Sequence, residues 1–247
     1  MSYGWDAYLT EIDEHPISIV LDLDAGLNFQ DHVLPFVCQV NIDLQQPGAD
    51  GLHEGEENSD LNDFEDAFEN VVIKKLKGKY VGRCTGKGKR ALYAYLPTTT
   101  DAKETLEKAL APCSKYDPEL NINFNSDWSY YFEGLFPNPE ELRVILNEQV
   151  LRSLEEGGDP LDSPREIDHW IYFPSEETME TFKKGVVKDG FTVRAEAKED
   201  GDLPYSIHIA REDSVDRESI HDLILDLFRK AEDLDGDYDG WETYIVN

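Results

Sequence analysis

Residues 167–173, IDHWIYF, alternate apolar and polar positions with period two, which places Ile167, His169, Ile171 and Phe173 on one face of a predicted strand. Upstream, Asn138 is set to cap a helix, with Pro139 at its first position and Glu141 three residues on. Leu142, Ile145 and Leu146 give that helix an apolar face, and Gly157-Gly158 ends it. Downstream, Ser175 opens a helix carrying Met179, Phe182 and Val186, and Gly190 is placed to stop it. FTVRAEA and YSIHIAR read as strands around the turn-forming EDGDLP. Ile220, Leu223, Ile224, Leu227 and Ala231 then form the strongest amphipathic helix of the chain, and WETYIV closes as a strand.

The same succession is predicted earlier in the chain. LPFVCQVNIDL is a strand, LNDFEDAFENVVIKKL a helix ended near Gly78, and YVGRCT with RALYAYL a hairpin. DAKETLEKALAPC is a second helix and INFNSDWSYYF a closing strand, while ISIVLDLDAGL adds a strand in front. Each half thus runs β-α-β-β-α-β, the split-βαβ or ferredoxin-like arrangement of an antiparallel sheet with both helices on one face. The expected architecture is α+β, with one such domain over residues 1–137, extended by the extra strand, and another over 138–247. WDAY (5–8), WSYY (128–131) and WETY (241–244) share Trp-x-x-Tyr, which reads first as aromatic packing on twisted sheets.

Composition sharpens the functional picture through charge. The 247-residue chain has a net charge of −30. Residues 1–70 hold seventeen acids and no lysine or arginine, whereas residues 71–115 hold eleven bases against three acids. Such a field repels phosphate backbones, so direct nucleic-acid binding is not expected, and a basic protein segment is the partner it would attract. General solubility, or adaptation to a salty cytoplasm, accounts for the acidity equally well. The N-terminal residues show no secretory pattern, no run approaches a membrane span, and Cys38, Cys84 and Cys113 lack zinc or redox spacing, so a cytoplasmic location is expected.

Candidate chemistry is sparse. Asp235, Asp237, Asp239 and Gly240 match the start of a calcium loop, but Val246 stands where the bidentate glutamate belongs, so an acidic turn before a strand is the reading adopted. GRCTGKGKR lacks both the glycine spacing and the hydroxyl residue of a phosphate-binding loop and reads as a hairpin turn. The basic run around it (Lys74, Lys75, Lys77, Lys79, Arg83, Lys87, Lys89, Arg90) is read as neutralising the acids of its own domain. His169 and His208 lie on neighbouring predicted strands and could share a face, without a metal-binding spacing. No metal, cofactor or activated nucleophile is expected.

VLRSLEEGGDPLDSPREIDHWIYF, the later AEDLDGDYDGWETY and the element order between them resemble the regulator of ribonuclease E activity B family over about the last 105 residues. The residues before them resemble an uncharacterised bacterial domain of unknown function. The resemblance implies a non-catalytic acidic inhibitor that binds the basic C-terminal scaffold region of ribonuclease E and alters RNA decay. Asp237, Asp239, Trp241 and Tyr244 are the expected partner contacts, because acids beside aromatic anchors suit a basic peptide. Two alternatives stay open: a metal-dependent enzyme or binding protein with its site at the domain junction, and an acidic mimic of nucleic acid.

Overall fold

The computed structural model of the chain describes residues 4–27, 29–31, 33–53 and 57–246. Two compact units divide between Pro137 and Asn138. The N-terminal unit contains β1 (Trp5–Ile12), β2 (His15–Asp22), β3 (Phe36–Asp43), α1 (Glu57–Lys74), β4 (Lys79–Gly86), β5 (Lys89–Leu96), α2 (Ala102–Leu110), β6 (Glu119–Phe124) and α3 (Ser129–Phe132). The C-terminal unit contains α4 (Pro139–Glu156), β7 (Arg165–Phe173), α5 (Glu176–Lys188), β8 (Thr192–Lys198), β9 (Tyr205–Asp213), α6 (Arg217–Glu232) and β10 (Asp237–Glu242).

Both sheets are antiparallel, and together with the helices they make an α+β fold. The second has strand order β10-β7-β9-β8, in which the first strand is flanked by the last and the third as the split-βαβ topology requires. The first has order β1-β2-β4-β5-β3-β6; without β1 and β2 it shows the same topology.

Burial explains why these elements form. In the C-terminal unit, Ile167, Ile171 and Phe173 of β7 pack with Met179, Phe182 and Val186 of α5 and Ile220, Ile224 and Leu227 of α6. Ser175 caps α5 by accepting from the amide of Thr178, and Asn138 forms a reciprocal capping box with Glu141 at the start of α4. In the N-terminal unit, Cys38, Val40 and Ile42 of β3 meet Leu61, Phe64 and Phe68 of α1 and Leu106 of α2. Burial pushes the Cys38 thiol up to about 12, in keeping with a packing role. The other face of this sheet buries Ile17, Ile19, Leu21 and Tyr95; Tyr95 stacks on Trp128 with ring centroids 4.0 Å apart, and Tyr131 donates from its hydroxyl to the carbonyl of Asp22 at 2.8 Å.

Three expectations are corrected. The N-terminal extension is a hairpin of two strands, because WDAYLTEI forms β1 and folds back through Asp13 and Glu14, both at positive φ. INFNSDWSYYF is not one strand. β6 ends at Phe124, where the Asn125 side chain donates to Asp127 and Ser129 and Trp128 turns into the left-handed region before the short helix α3. The closing strand β10 spans Asp237–Glu242, so the Asp-rich stretch belongs largely to the strand instead of preceding it.

Gly82 is a position where only glycine fits. It sits in a bulge of β4 with φ of 154°, and a Cβ there would lie 2.6 Å from the carbonyl oxygen of Val20 on β2. GRCTGKGKR forms the β4–β5 hairpin, turning at Lys87 and Gly88 with positive φ at both.

Candidate functional site

The C-terminal sheet carries helices on one face only. Along β7, Ile167, His169, Ile171 and Phe173 point into the core, so Asp168, Trp170 and Tyr172 point the other way and are half-buried. Register places Ala210, His208 and Ser206 of β9 beside these three on the same face, with Ala195 and Ala197 of β8 beyond them. On the opposite side, β10 sets Asp237 beside Tyr172 and Glu242 beside Asp168.

The centre of this face is aromatic. Trp170 and His208 stack with ring centroids 4.6 Å apart and planes 14° from parallel, and His208 Nε2 lies 2.6 Å from Asp168 Oδ1. The rim is acidic. Burial raises the Tyr172 phenol above its ordinary range, and the carboxylates of Asp239, Glu199 and Asp237 raise it further, which registers the negative potential at the face. Asp237 is held by Arg143 of α4 at 2.7 Å, whereas Asp239 and Glu242 form no ion pair among the described residues. Flat π surfaces framed by carboxylates can hold guanidinium or ammonium groups by stacking and charge together.

The four residues expected as partner contacts separate here. Asp239 is exposed and Asp237 is at the edge of the face. Trp241 is turned inwards, 8% exposed, and its indole donates to Asn147 Oδ1 at 2.8 Å. In a regular strand Asp237, Asp239 and Trp241 would lie on one side. The bulge between Tyr238 and Gly240 shifts the phase, so Trp241 sits opposite His169 and joins the core. Tyr244 follows the strand and is 59% exposed. The calcium-loop reading fails geometrically because Asp237 and Asp239 are strand residues and Asp237 is committed to Arg143.

His169 and His208 do not share a face. His169 is buried, its Nδ1 is 2.8 Å from the Tyr238 hydroxyl, and burial, then the charges of Arg211 and His208, push its pKa down to about 3. It is a neutral core histidine. The Trp-x-x-Tyr units share no common environment either, since Trp5 is exposed on edge strand β1, Trp128 is buried ahead of α3 and Trp241 is buried on edge strand β10.

Five of the eight residues of the basic run meet their own unit's acids, whereas Lys74, Lys75 and Lys77 form no ion pair among the described residues. Lys79 pairs with Asp22, Lys87 with Asp13, Lys89 with Asp43, and Arg83 and Arg90 with Glu65. A cleft of about 830 Å³ lies beside the start of α1, lined in part by Asn58, Ser59 and Lys115. Glu57 in its wall accepts from the amides of Gln45 and Gln46 and from the Tyr116 hydroxyl, so its carboxylate is held in place as a loop anchor. Among the described residues, no group of three histidine, cysteine, aspartate or glutamate side chains could hold a metal ion, and no helix is long and apolar enough to cross a membrane.

The C-terminal unit of this acidic α+β protein thus presents an open sheet face with a stacked aromatic pair at its centre and carboxylates at its rim. Comparison with known proteins gives the family. A model described as "Regulator of ribonuclease activity B" matches residues 145–243, and one for a family of unknown function (DUF695) matches residues 3–136. Regulators of ribonuclease activity B from Escherichia coli K12 and Shigella flexneri are each 33% identical over 116 residues, 46% of this chain and 80% of theirs. That from Salmonella typhi is 33% identical over 109 residues, 43% of this chain and 75% of its own. The chain belongs, through its C-terminal unit, to the regulator of ribonuclease activity B family. A crystal structure of an unknown protein from Galdieria sulphuraria aligns over 85% of this chain and 98% of its own at 13% identity, but with a TM-score of 0.23 that likeness carries no weight.

Proposed function

We propose that this protein is a non-catalytic regulator of RNA decay that binds a basic scaffold segment of a ribonuclease, of the ribonuclease E kind, on the open face of its C-terminal sheet. The supporting observation is the stacked Trp170–His208 pair framed by Asp168, Asp237, Asp239 and Glu242. A disordered cationic segment would be steered there by the chain's net charge of −30 and would order on contact. Its arginines stack on Trp170 and Tyr172 while their charges meet the rim carboxylates, with each exposed cation–π contact contributing about 0.5–1 kcal/mol. Asp237, Asp239 and Tyr244 remain contacts in this proposal; Trp241 supports the strand from behind.

Reconstituted RNA cleavage tests the reading. Adding the full chain to a ribonuclease E that retains its C-terminal scaffold should change the cleavage rate, with no effect on the enzyme lacking that region. The chain alone should leave RNA intact. RNA cleavage by the chain alone, or equal action on the enzyme without its scaffold, would refute it.

A further inference from the structure

The sheet of the N-terminal unit extends sideways past the helix that packs on it. α1 lies over β4 and β5, with α2 at its other side. Beyond α1, β2 and β1 continue the sheet, and there the same face is open. Register sets Ala7 beside Val20 and Val20 beside Arg83, whose guanidinium donates to Glu65 of α1, so Trp5, Ala7 and Leu9 lie on the helix side. All three are exposed, and Val20 is half-buried. The hairpin is fastened from behind: Asp6, Ile17, Ile19 and Leu21 are buried, and the Tyr8 hydroxyl donates to the carbonyl of Leu135 at 2.8 Å. We propose that the trough between α1 and β1 binds an amphipathic helix with basic flanks, supplied by a partner protein.

The open strip has the dimensions of one helix. Two strands span about 10 Å and the eight residues of β1 about 26 Å, while a helix with its side chains is about 10–12 Å across. Its wall is a row on α1. Glu65, Glu69 and Ile73 recur at every fourth residue, and Glu65 reaches the sheet by accepting from Tyr80 and Arg83. Trp5 is 47%, Leu9 67% and Ile73 47% exposed, and the Trp5 ring lies 5.3 Å from that of Tyr80. Single exposed apolar side chains are ordinary, but apolar groups from two elements along one trough mark an interaction site. A helix with an apolar stripe meets floor and wall together. Charge then selects its flanks. Lys79 is met by Asp22 and Arg83 by Glu65, whereas Glu11 and Glu69 form no ion pair among the described residues. Burial, then the neighbouring Glu65 and Asp66, raise the Glu69 carboxyl above its ordinary value, the mark of acids crowded along this wall. Lysine or arginine on the incoming helix relieves that crowding.

Nuclear magnetic resonance of the full chain tests this, read at the Trp5 indole and the Leu9 and Val20 methyl groups. The probe is a leucine–lysine peptide of about 18 residues, about 27 Å long as a helix, with its leucines at helical spacing. One control replaces lysine by glutamate, and another alternates leucine and lysine strictly, so that its apolar stripe exists only when extended. At low salt the probe should shift all three signals and bind at least tenfold more tightly than either control. Leu9→Gln, at an exposed position, should keep the thermal midpoint and weaken binding at least tenfold, whereas Trp170→Ala should leave the Trp5 response intact. Unshifted signals, equal binding by either control, an undiminished effect in L9Q or loss of the Trp5 response in W170A would overturn the proposal. So would Trp5 shifts that grow with protein concentration in the absence of peptide, because a second copy would then be the occupant.

Discussion

Trp170 and His208 face each other across β7 and β9, their rings nearly parallel at 4.6 Å, on the side of the sheet away from the helices of their own unit. A stack of this kind is worth about 0.5–1.5 kcal/mol beyond the area it buries. Trp170→Ala should therefore cost the stack plus the apolar area its half-buried ring covers, about 2–3 kcal/mol in denaturant melts. Its affinity for a cationic segment should fall about tenfold, a loss of about 1.4 kcal/mol read by calorimetry. A variant that binds normally would remove Trp170 from the docking surface.

Trp241 and Tyr244 make opposite predictions although only three residues apart. Trp241→Ala empties a core position and orphans the Asn147 side chain, so it should cost about 3–5 kcal/mol in chemical denaturation. Tyr244→Ala should stay within about 0.5 kcal/mol of the parent protein.

His169 gives the C-terminal unit an acid-sensitive stability. Its folded pKa of about 3 lies below the unfolded value, so the unfolded chain binds the proton first as pH falls. Stability is fully present above about pH 6.5 and declines towards pH 3, with a slope approaching about 1.4 kcal/mol per pH unit from this group. His169→Gln should remove that component from the pH profile of thermal melting. An unchanged slope in H169Q would assign the acid sensitivity to other groups.

Asp159 and Arg165 form a fully buried ion pair at 2.8 Å, and Asp159 also accepts from the amides of Leu161 and Val246. Burial alone would raise the Asp159 pKa, but the hydrogen bonds from the Val246 and Leu161 amides and the adjacent Arg165 guanidinium outweigh it and hold the carboxyl below its ordinary value. Asp159→Ala leaves a buried guanidinium without its partner and should cost about 3–5 kcal/mol. It should also release the segment around Val246, detectable as faster amide exchange there.

Much of the fold was legible where burial is one-sided. β7 and the three amphipathic helices α1, α5 and α6 carry apolar residues at strand or helix spacing because each presents one face to a core. β1 was not legible. Its hairpin turns through Asp13-Glu14, both at positive φ, with Glu14 standing where the glycine of an Asn-Gly or Asp-Gly pair would announce such a turn. The C-terminal acids were visible as charge, but a bulge decided that Asp239 would face out and Trp241 in. The docking face itself had a signal in IDHWIYF: Trp170 and Tyr172 occupy outward positions where solvated strands usually place small polar or charged side chains. His208 could join them only through the β7–β9 register, which no local pattern encodes.

The central claim is tested most directly by titrating the full chain with the basic scaffold segment of ribonuclease E across a salt series while following amide exchange. Affinity should fall steeply as ionic strength rises, with slowed exchange in β7, β9 and β10, and Asp239→Lys/Glu242→Lys should weaken binding at least tenfold at low salt. Binding that ignores salt and both reversals, or protection that leaves these three strands unchanged, would contradict it.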